Sequence, residues 1–572
     1  MNIYQPRTDD MFTILSRVLD GPVQLQALAP FGAVDAELMR QVLDEAGRFV
    51  GDVIAPLNRD GDAIGARWVN GAVTAPPGFR QAYQAFWQAG WPALSAEPQD
   101  GGQGLPAVLE AMLYEMLSAA NHGWTMAPAL LHGAYTCLKH HGSDELKARY
   151  LAKLVTGEWL PTMCLTEAHA GSDLGLVRTR ANPMADGRYA LSGTKIFISS
   201  GEHDLSDNIV HLVLARLPDT PPGPRGLSLF LVPKFEPDGT RSAVVCERIE
   251  EKMGLHGSAT CVLRFDAAAA SIVGEPGRGL NAMFVMMNAA RLHVALQGIG
   301  LLDAAWQKAD AYARERRQMR APGKARSAAE PDLIAEHPAI RRILDSQRAW
   351  VDAGRVLAYR TAMELDRITH GEPDARIHAQ RWCALVTPII KAAFTHQAFH
   401  GGSDCLQVFG GHGYVREWGI EQNIRDARVA MIYEGTNEIQ AIDLLVRKVL
   451  ADGGLDMNRL LDGLQDDVPG DAGTHVLTRA RIASLRVLTT RIVDAAPHDA
   501  TLAYRVADDY LRACALVLID WAWQRIDAGL DDTTPDRATR WQAPGQALRD
   551  WTLPEFEMRA AIIVQQCAAA TR

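Results

Sequence analysis

Between Val34 and about Gly157 the apolar positions recur at intervals of three and four. The stretches DAELMRQVLDEAGRFVGDVIAPLNR and LPAVLEAMLYEMLSAANHG show it most clearly, and this spacing places the apolar residues on one helix face. SDELKARYLAKLVTGEW adds a helix start, with Ser143 as cap and acidic residues in the first turn. Near Pro161 the period shortens to two. TMCLT, YALSGTKIFISS, NIVHLVLARL, GLSLFLVPKF and TCVLRFDA read as strands, separated by Asp186-Gly187, Pro222-Gly223 and Asp238-Gly239.

Helical spacing returns after Gly279. One long periodic segment ends at Pro322-Gly323, a second runs from about His337 to His370, and a third from about Asp374 to Phe409 with a kink expected at Pro388. An acidic, loop-rich stretch then leads into three amphipathic segments, beginning at Thr474, Ala500 and Leu553. These predict an appended helical bundle. The expected fold is mainly α with a central antiparallel β domain. It divides into an N-terminal extension (1–33), a helical domain (34–160), a β domain (161–275), a helical bundle (276–452) and a C-terminal helical extension (453–572).

A chain of 572 residues is too long for a single core. Its formal charge of -10 is spread along the sequence, without the basic stripe of a nucleic-acid binder. No basic n-region precedes an apolar stretch at the N-terminus, and no uninterrupted apolar run approaches ~18 residues; the expectation is a cytoplasmic protein with no membrane span. The eight cysteines form no CxxC pair and no HExxH is present, so buried free thiols and no metal site are expected.

Neither a strand–GxGxxG–helix unit nor a P-loop occurs, which excludes the usual nucleotide folds. Four other segments bear chemistry. LTEAHAGSD (165–173) ends a strand in a small-residue loop able to hold a polar ring edge or phosphate, though a plain β-turn explains it equally. In KIFISSGEHD, strict alternation puts Lys195, Phe197 and Ser199 on one face, either to stack on a flat ring or as core. Asn288 and Arg291 share a helix face and suit an anionic ligand or an internal ion pair. In VAMIYEGTNEIQ a strand-like apolar approach delivers Glu434 to a turn at Gly435-Thr436, after which a helix begins. Flanked by Ile432 and Tyr433, that carboxylate is placed for desolvation and use as a base, or is a solvated turn charge.

Taken together and in order, LTEAHAGSD, KIFISSG, QVFGGHG and IYEGTNEIQ resemble the acyl-CoA dehydrogenase family over roughly residues 35 to 450. The extra residues at both ends resemble its long bacterial subgroup. The resemblance implies FAD as cofactor, with Met163, Leu165, Thr166 and Ser172 lining the flavin, Phe197 against the ring system and Ser199 near its N5 edge. It implies that Gln407 and Gly411 touch a neighbouring subunit's FAD, with Thr436 and Glu438 close to FAD as well. Arg316 matches an arginine that reaches a neighbour's FAD pyrophosphate, although Met319 stands where the family usually has an aromatic. Asn288 and Arg291 match positions facing CoA, and Ser172, Tyr433 and Gly435 also match substrate-facing positions. Glu434 matches the base that removes the α-proton, its own backbone N–H serving with a ribityl hydroxyl as oxyanion hole. The partners implied are an acyl-CoA, an electron-transferring flavoprotein and a second copy of the chain in a homodimer. An acyl-CoA oxidase or a non-catalytic flavoprotein on the same scaffold are the alternatives.

Overall fold

The computed structural model describes residues 4–323, 330–468, 473–530 and 535–571. The chain forms two compact units, one of Met1–Arg48, Pro106–Ala119 and Val294–Arg572, the other of Phe49–Leu105 and Ala120–His293.

The second unit is built on a seven-stranded sheet of β1 (Leu160–Cys164), β2 (Arg180–Pro183), β3 (Tyr189–Ser199), β4 (Ile209–Arg216), β5 (Leu227–Pro233), β6 (Val244–Ile249) and β7 (Thr260–Val273). The order is β1-β4-β2-β3-β7-β5, with β6 on β7, and a further β4–β5 pairing closes the circuit. Closure leaves few unpaired edges. The sheet is not purely antiparallel, as expected from sequence, because β1 runs parallel to β4 in the register Leu160↔Ile209 to Cys164↔Val213. The short strands β2 and β6 escaped the sequence reading, since neither shows a clean alternating run. Alternation along β4 supplies two cores. Val210, Leu212 and Leu214 pack with helical residues such as Leu138, Leu154 and Met286. Val213 and Ala215 pack inward with Leu191, Phe230 and Phe265. Ser143 caps its helix as expected, its Oγ accepting from Leu146 N–H at 3.3 Å.

The first unit is helical. Its main members are the C-terminal part of α1 (Gly279–Glu315), α2 (Pro338–His370), α3 (Pro373–Val408), α4 (Ile420–Arg428), α5 (Asn437–Ile442), α6 (Leu455–Asp466), α7 (Thr474–Ala495), α8 (Leu502–Leu530), α9 (Pro535–Ala547) and α10 (Glu555–Ala570). Helix α1 is long and apolar enough to cross a bilayer, but 76% of its most apolar window is buried within the protein; it reads as a core helix. At Gly298 it meets α3 so closely that a Cβ would lie 2.7 Å from the Phe394 carbonyl carbon. Helix α3 runs on through Pro388. Proline removes the N–H that would bond the Ala384 carbonyl, and Lys448 Nζ donates to that carbonyl instead, at 2.6 Å.

The two terminal extensions meet on a buried ionic network. Arg348 of α2 contacts Asp10 at 2.8 Å, Asp303 at 3.0 Å and Asp352 at 3.0 Å. Arg540 of α9 contacts Asp352 at 2.8 Å and Asp10 at 3.1 Å. Arg355 extends the network to Asp303 at 2.9 Å and Glu115 at 2.7 Å. Seven of the eight cysteines are buried and all are free.

Candidate active site

Three groups carry most of the residues singled out in the sequence, one in the β unit and two in the helical unit. In the β unit, β1 and its continuation lie beside β3, and Ile196 N–H donates to the Thr166 carbonyl at 2.9 Å. This brings Met163, Leu165, Thr166, Phe197 and Ser199 together. Met163 and Leu165 pack on the core from its margin, whereas Ser172 is exposed on the following loop.

The expectation that Lys195, Phe197 and Ser199 share one face is overturned by a β-bulge. Lys195 pairs with Leu263 and Ile198 with Cys261, so three steps on β3 oppose two on β7. The extra residue reverses the alternation. Lys195 is wholly buried, while Phe197 is 60% exposed with φ of +59°. Phe197 is therefore not core. An aromatic face held out by a strained backbone is a platform for a planar group.

The loop beneath is anchored by Glu167, which the sequence reading passed over. Its carboxylate accepts from Arg178 N–H at 2.8 Å, Thr179 N–H at 3.0 Å, Thr179 Oγ1 at 2.6 Å and Lys195 Nζ at 2.9 Å. Burial opposes ionisation here, but Lys195 and the Thr179 and Arg178 donors outweigh it and hold the carboxyl at about 2. Lys195 also donates to the Leu165 carbonyl at 2.9 Å. Glu167 and Lys195, from two separate segments, are thus one buried ion pair that locks the loop to the strand. Arg291 is buried, at 8% exposure. Asn288 lies on α1, and its side chain falls outside the described residues.

In the helical unit, the approach to Glu434 is not a strand. Helix α4 continues into a tight helical turn at Val429–Met431, with Ile432 N–H donating to the Val429 carbonyl at 2.8 Å. A short apolar run fits either structure, and here the preceding helix decides. The chain then reverses through Glu434 at φ +55° and Gly435 at φ +83°. Thr436 caps α5, its Oγ1 accepting from Ile439 N–H at 3.3 Å. The turn is held from two sides: Gln440 Nε2 donates to the Glu434 carbonyl at 2.9 Å, and Lys391 Nζ to the Gly435 carbonyl at 2.7 Å. Glu434 is half-buried. Ile432, expected to help desolvate it, is 51% exposed. Tyr433 is the better shield: its hydroxyl donates to Gln297 Oε1 at 2.5 Å, and burial, then the neighbouring Glu434 charge, raise its pKa. Glu438 is exposed on α5.

A third group forms on the same unit. Tyr312 stacks on Phe409 at 4.3 Å and meets His412 Nδ1 at 2.9 Å. This joins the end of α1, where Arg316 is exposed, to the end of α3, where Gln407 and Gly411 are exposed. Met319 is 78% exposed.

These features fit FAD. The raised Phe197 offers a ring surface, and beside it lies a loop whose Gly171 has open space where a Cβ would sit. An exposed ring platform beside an open small-residue loop is what a flavin-dependent enzyme requires. Family models agree: the acyl-CoA dehydrogenase N-terminal domain matches residues 37–158, the middle domain 162–268 and the C-terminal domain 277–449. The chain is 44% identical to 3-methylmercaptopropionyl-CoA dehydrogenase of Ruegeria pomeroyi, over 80% of this chain and 78% of that one. It is 33% identical to the broad-specificity linear acyl-CoA dehydrogenase of Mycobacterium tuberculosis, over 92% and 90% of the two chains. The Caenorhabditis elegans structure ACDH-11 superposes with a TM-score of 0.76 at 19% identity, covering 97% of this chain and 93% of that one. It therefore shares the fold over the C-terminal extension too. The chain belongs to the acyl-CoA dehydrogenase family, whose reaction is FAD-dependent oxidation of acyl-CoA thioesters.

Proposed function

We propose that Glu434 is the base that removes the α-proton of an acyl-CoA, giving a trans-2-enoyl-CoA. The observation that carries this assignment is the turn itself. Two successive left-handed residues, braced from both sides, fix the direction in which the Glu434 side chain leaves the backbone. Such strain at a non-glycine residue costs ~1–3 kcal/mol and persists where the surroundings over-determine it. A thioester α-proton is weakly acidic, so its removal requires a positioned base and a stabilised enolate oxygen. The Glu434 N–H is the protein's donor to that oxygen. Tyr433 and Gly435 flank the acyl group, and Arg291 faces the CoA, with Asn288 assigned to the same role by family resemblance alone.

Bound FAD supplies the hydride acceptor for the β-hydrogen. Phe197 supports its ring system, Ser199 lies near its reactive edge, and Met163, Leu165, Thr166 and Ser172 line it. Thr436 and Glu438 approach it from the turn. Arg316, Gln407 and Gly411 are exposed close to one another, an arrangement that supports their reaching a second subunit's cofactor in a homodimer. The reduced enzyme passes its electrons to an electron-transferring flavoprotein, the acceptor implied by family resemblance, in the cytoplasm.

The deciding experiment is anaerobic titration of the FAD-loaded protein with acyl-CoAs, headed by 3-methylmercaptopropionyl-CoA and short straight-chain thioesters. Loss of flavin absorbance near roughly 450 nm by one class of thioester is expected. Full absorbance against every member of the panel would overturn the reading.

A further inference from the structure

We propose that Lys391 is a positioning residue for Glu434, acting with Gln440 through the backbone of the catalytic turn. The inference rests on Glu434 being the base. Lys391 lies in the run PIIKAAF of α3, where Ile389, Ile390, Ala392, Ala393 and Phe394 are all buried, and it is itself 0% exposed. An ammonium group in such a place costs several kcal/mol of lost hydration, so packing alone would be served better by Leu or Met.

What Lys391 does there is specific. Its Nζ donates to the Gly435 carbonyl at 2.7 Å and to Asn437 Oδ1 at 3.0 Å. Asn437 is in turn tied to α3, accepting from Thr395 Oγ1 at 3.1 Å and donating to the Ala392 carbonyl at 3.2 Å. From the other side Gln440, also 0% exposed, donates to the Glu434 carbonyl at 2.9 Å. The carbonyls of both left-handed residues are therefore each held by a buried side chain. The bond from Lys391 is charge-assisted, and such bonds are about twice as strong as neutral ones like that from Gln440. Without them, the strained turn would relax toward ordinary backbone angles and the Glu434 carboxylate would leave its position over the substrate.

The test is stopped-flow flavin reduction by the best acyl-CoA of the panel, on FAD-loaded Lys391→Met, Lys391→Arg, Gln440→Met and Glu434→Gln. Lys391→Met is expected to retain FAD and to lower the reduction rate constant by ~10–100-fold, the effect of a displacement near 1 Å, with substrate affinity nearly unchanged. Lys391→Arg, with a planar head, is expected to remain slow. Adding Lys391→Met to Glu434→Gln is expected to cost little more, because both act through one group. A wild-type rate in Lys391→Met, or a full further loss in the double variant, overturns the proposal. A slow Glu434→Gln beside a fast Lys391→Met sinks this proposal alone, whereas a fast Glu434→Gln sinks the base assignment itself. If Lys391→Met does not fold, Gln440→Met decides: a slowed reduction with FAD retained supports the bracing role, and a wild-type rate refutes it.

Discussion

Replacing Glu167 by Leu would leave Lys195 wholly buried, its ammonium still donating to the Leu165 carbonyl at 2.9 Å but without a counter-charge from Glu167. The depression of the Glu167 carboxyl from its ordinary 4.5 to about 2 gives the scale. At about 1.4 kcal/mol per pH unit this is roughly 3 kcal/mol, and breaking a buried ion pair costs ~3–5 kcal/mol in general. For a unit of roughly 200 residues, such a loss lowers Tm by about 6–12 °C. Differential scanning calorimetry of the FAD-loaded protein measures it, and hydrogen–deuterium exchange over residues 165–179 shows whether the loss is local. The pH dependence has a fixed sign. A depressed carboxyl contributes stability that is whole above pH 4.5 and is lost as pH falls from there toward about 2. The variant should therefore lose its deficit relative to the parent in acid. Glu167→Leu combined with Lys195→Met removes both charges and should be more stable than Glu167→Leu alone. A Tm within about 1 °C of the parent, or a double variant worse than the single, would refute the account.

Glu434→Gln should keep its yellow colour and lose at least ~10²-fold in turnover, the low end for a positioned base; steady-state assay with an artificial acceptor measures this. Phe197→Ala removes an exposed aromatic face worth ~0.5–1.5 kcal/mol in stacking, so FAD should dissociate up to about tenfold more readily in ultrafiltration, and unchanged retention would deny it a place against the ring. Gly435→Ala puts a Cβ 2.8 Å from Gln440 Nε2 at φ +83°, and turnover should fall while the β unit's exchange protection stays as in the parent. Asp10→Ala strips a carboxylate shared by Arg348 and Arg540 and should cost ~3–5 kcal/mol, read as a lower unfolding midpoint in urea.

Much of the fold was legible because periodicity survives in long elements. The expected helices near His337–His370 and Asp374–Phe409 differ from α2 and α3 by a residue at each displaced end. Helix α9 was missed because Pro544 and a polar composition hide it. At the site, residue identities came through but their orientations did not. A bulge adds one residue to one strand, and nothing in KIFISSG marks where the parity changes. Lys195 and Phe197 thus read as neighbours on a face, although one is core and the other exposed. Glu167 and Lys391 were invisible for a different reason. Each acts through partners distant in sequence, and a lone charged residue in an apolar run announces a cost without naming what offsets it.

The ionic network of Asp10, Arg348, Asp352 and Arg540 ties residues from both ends of the sequence to one helix. Deleting either end would strand charges belonging to the other, so neither can be trimmed as an independent appendage. A shortened enzyme would have to lose both tails in the same step, leaving Arg348 to pair with Asp303 and Asp352. The long form is in this sense a ratchet: once both tails had joined the network, no single deletion led back without passing through a destabilised chain.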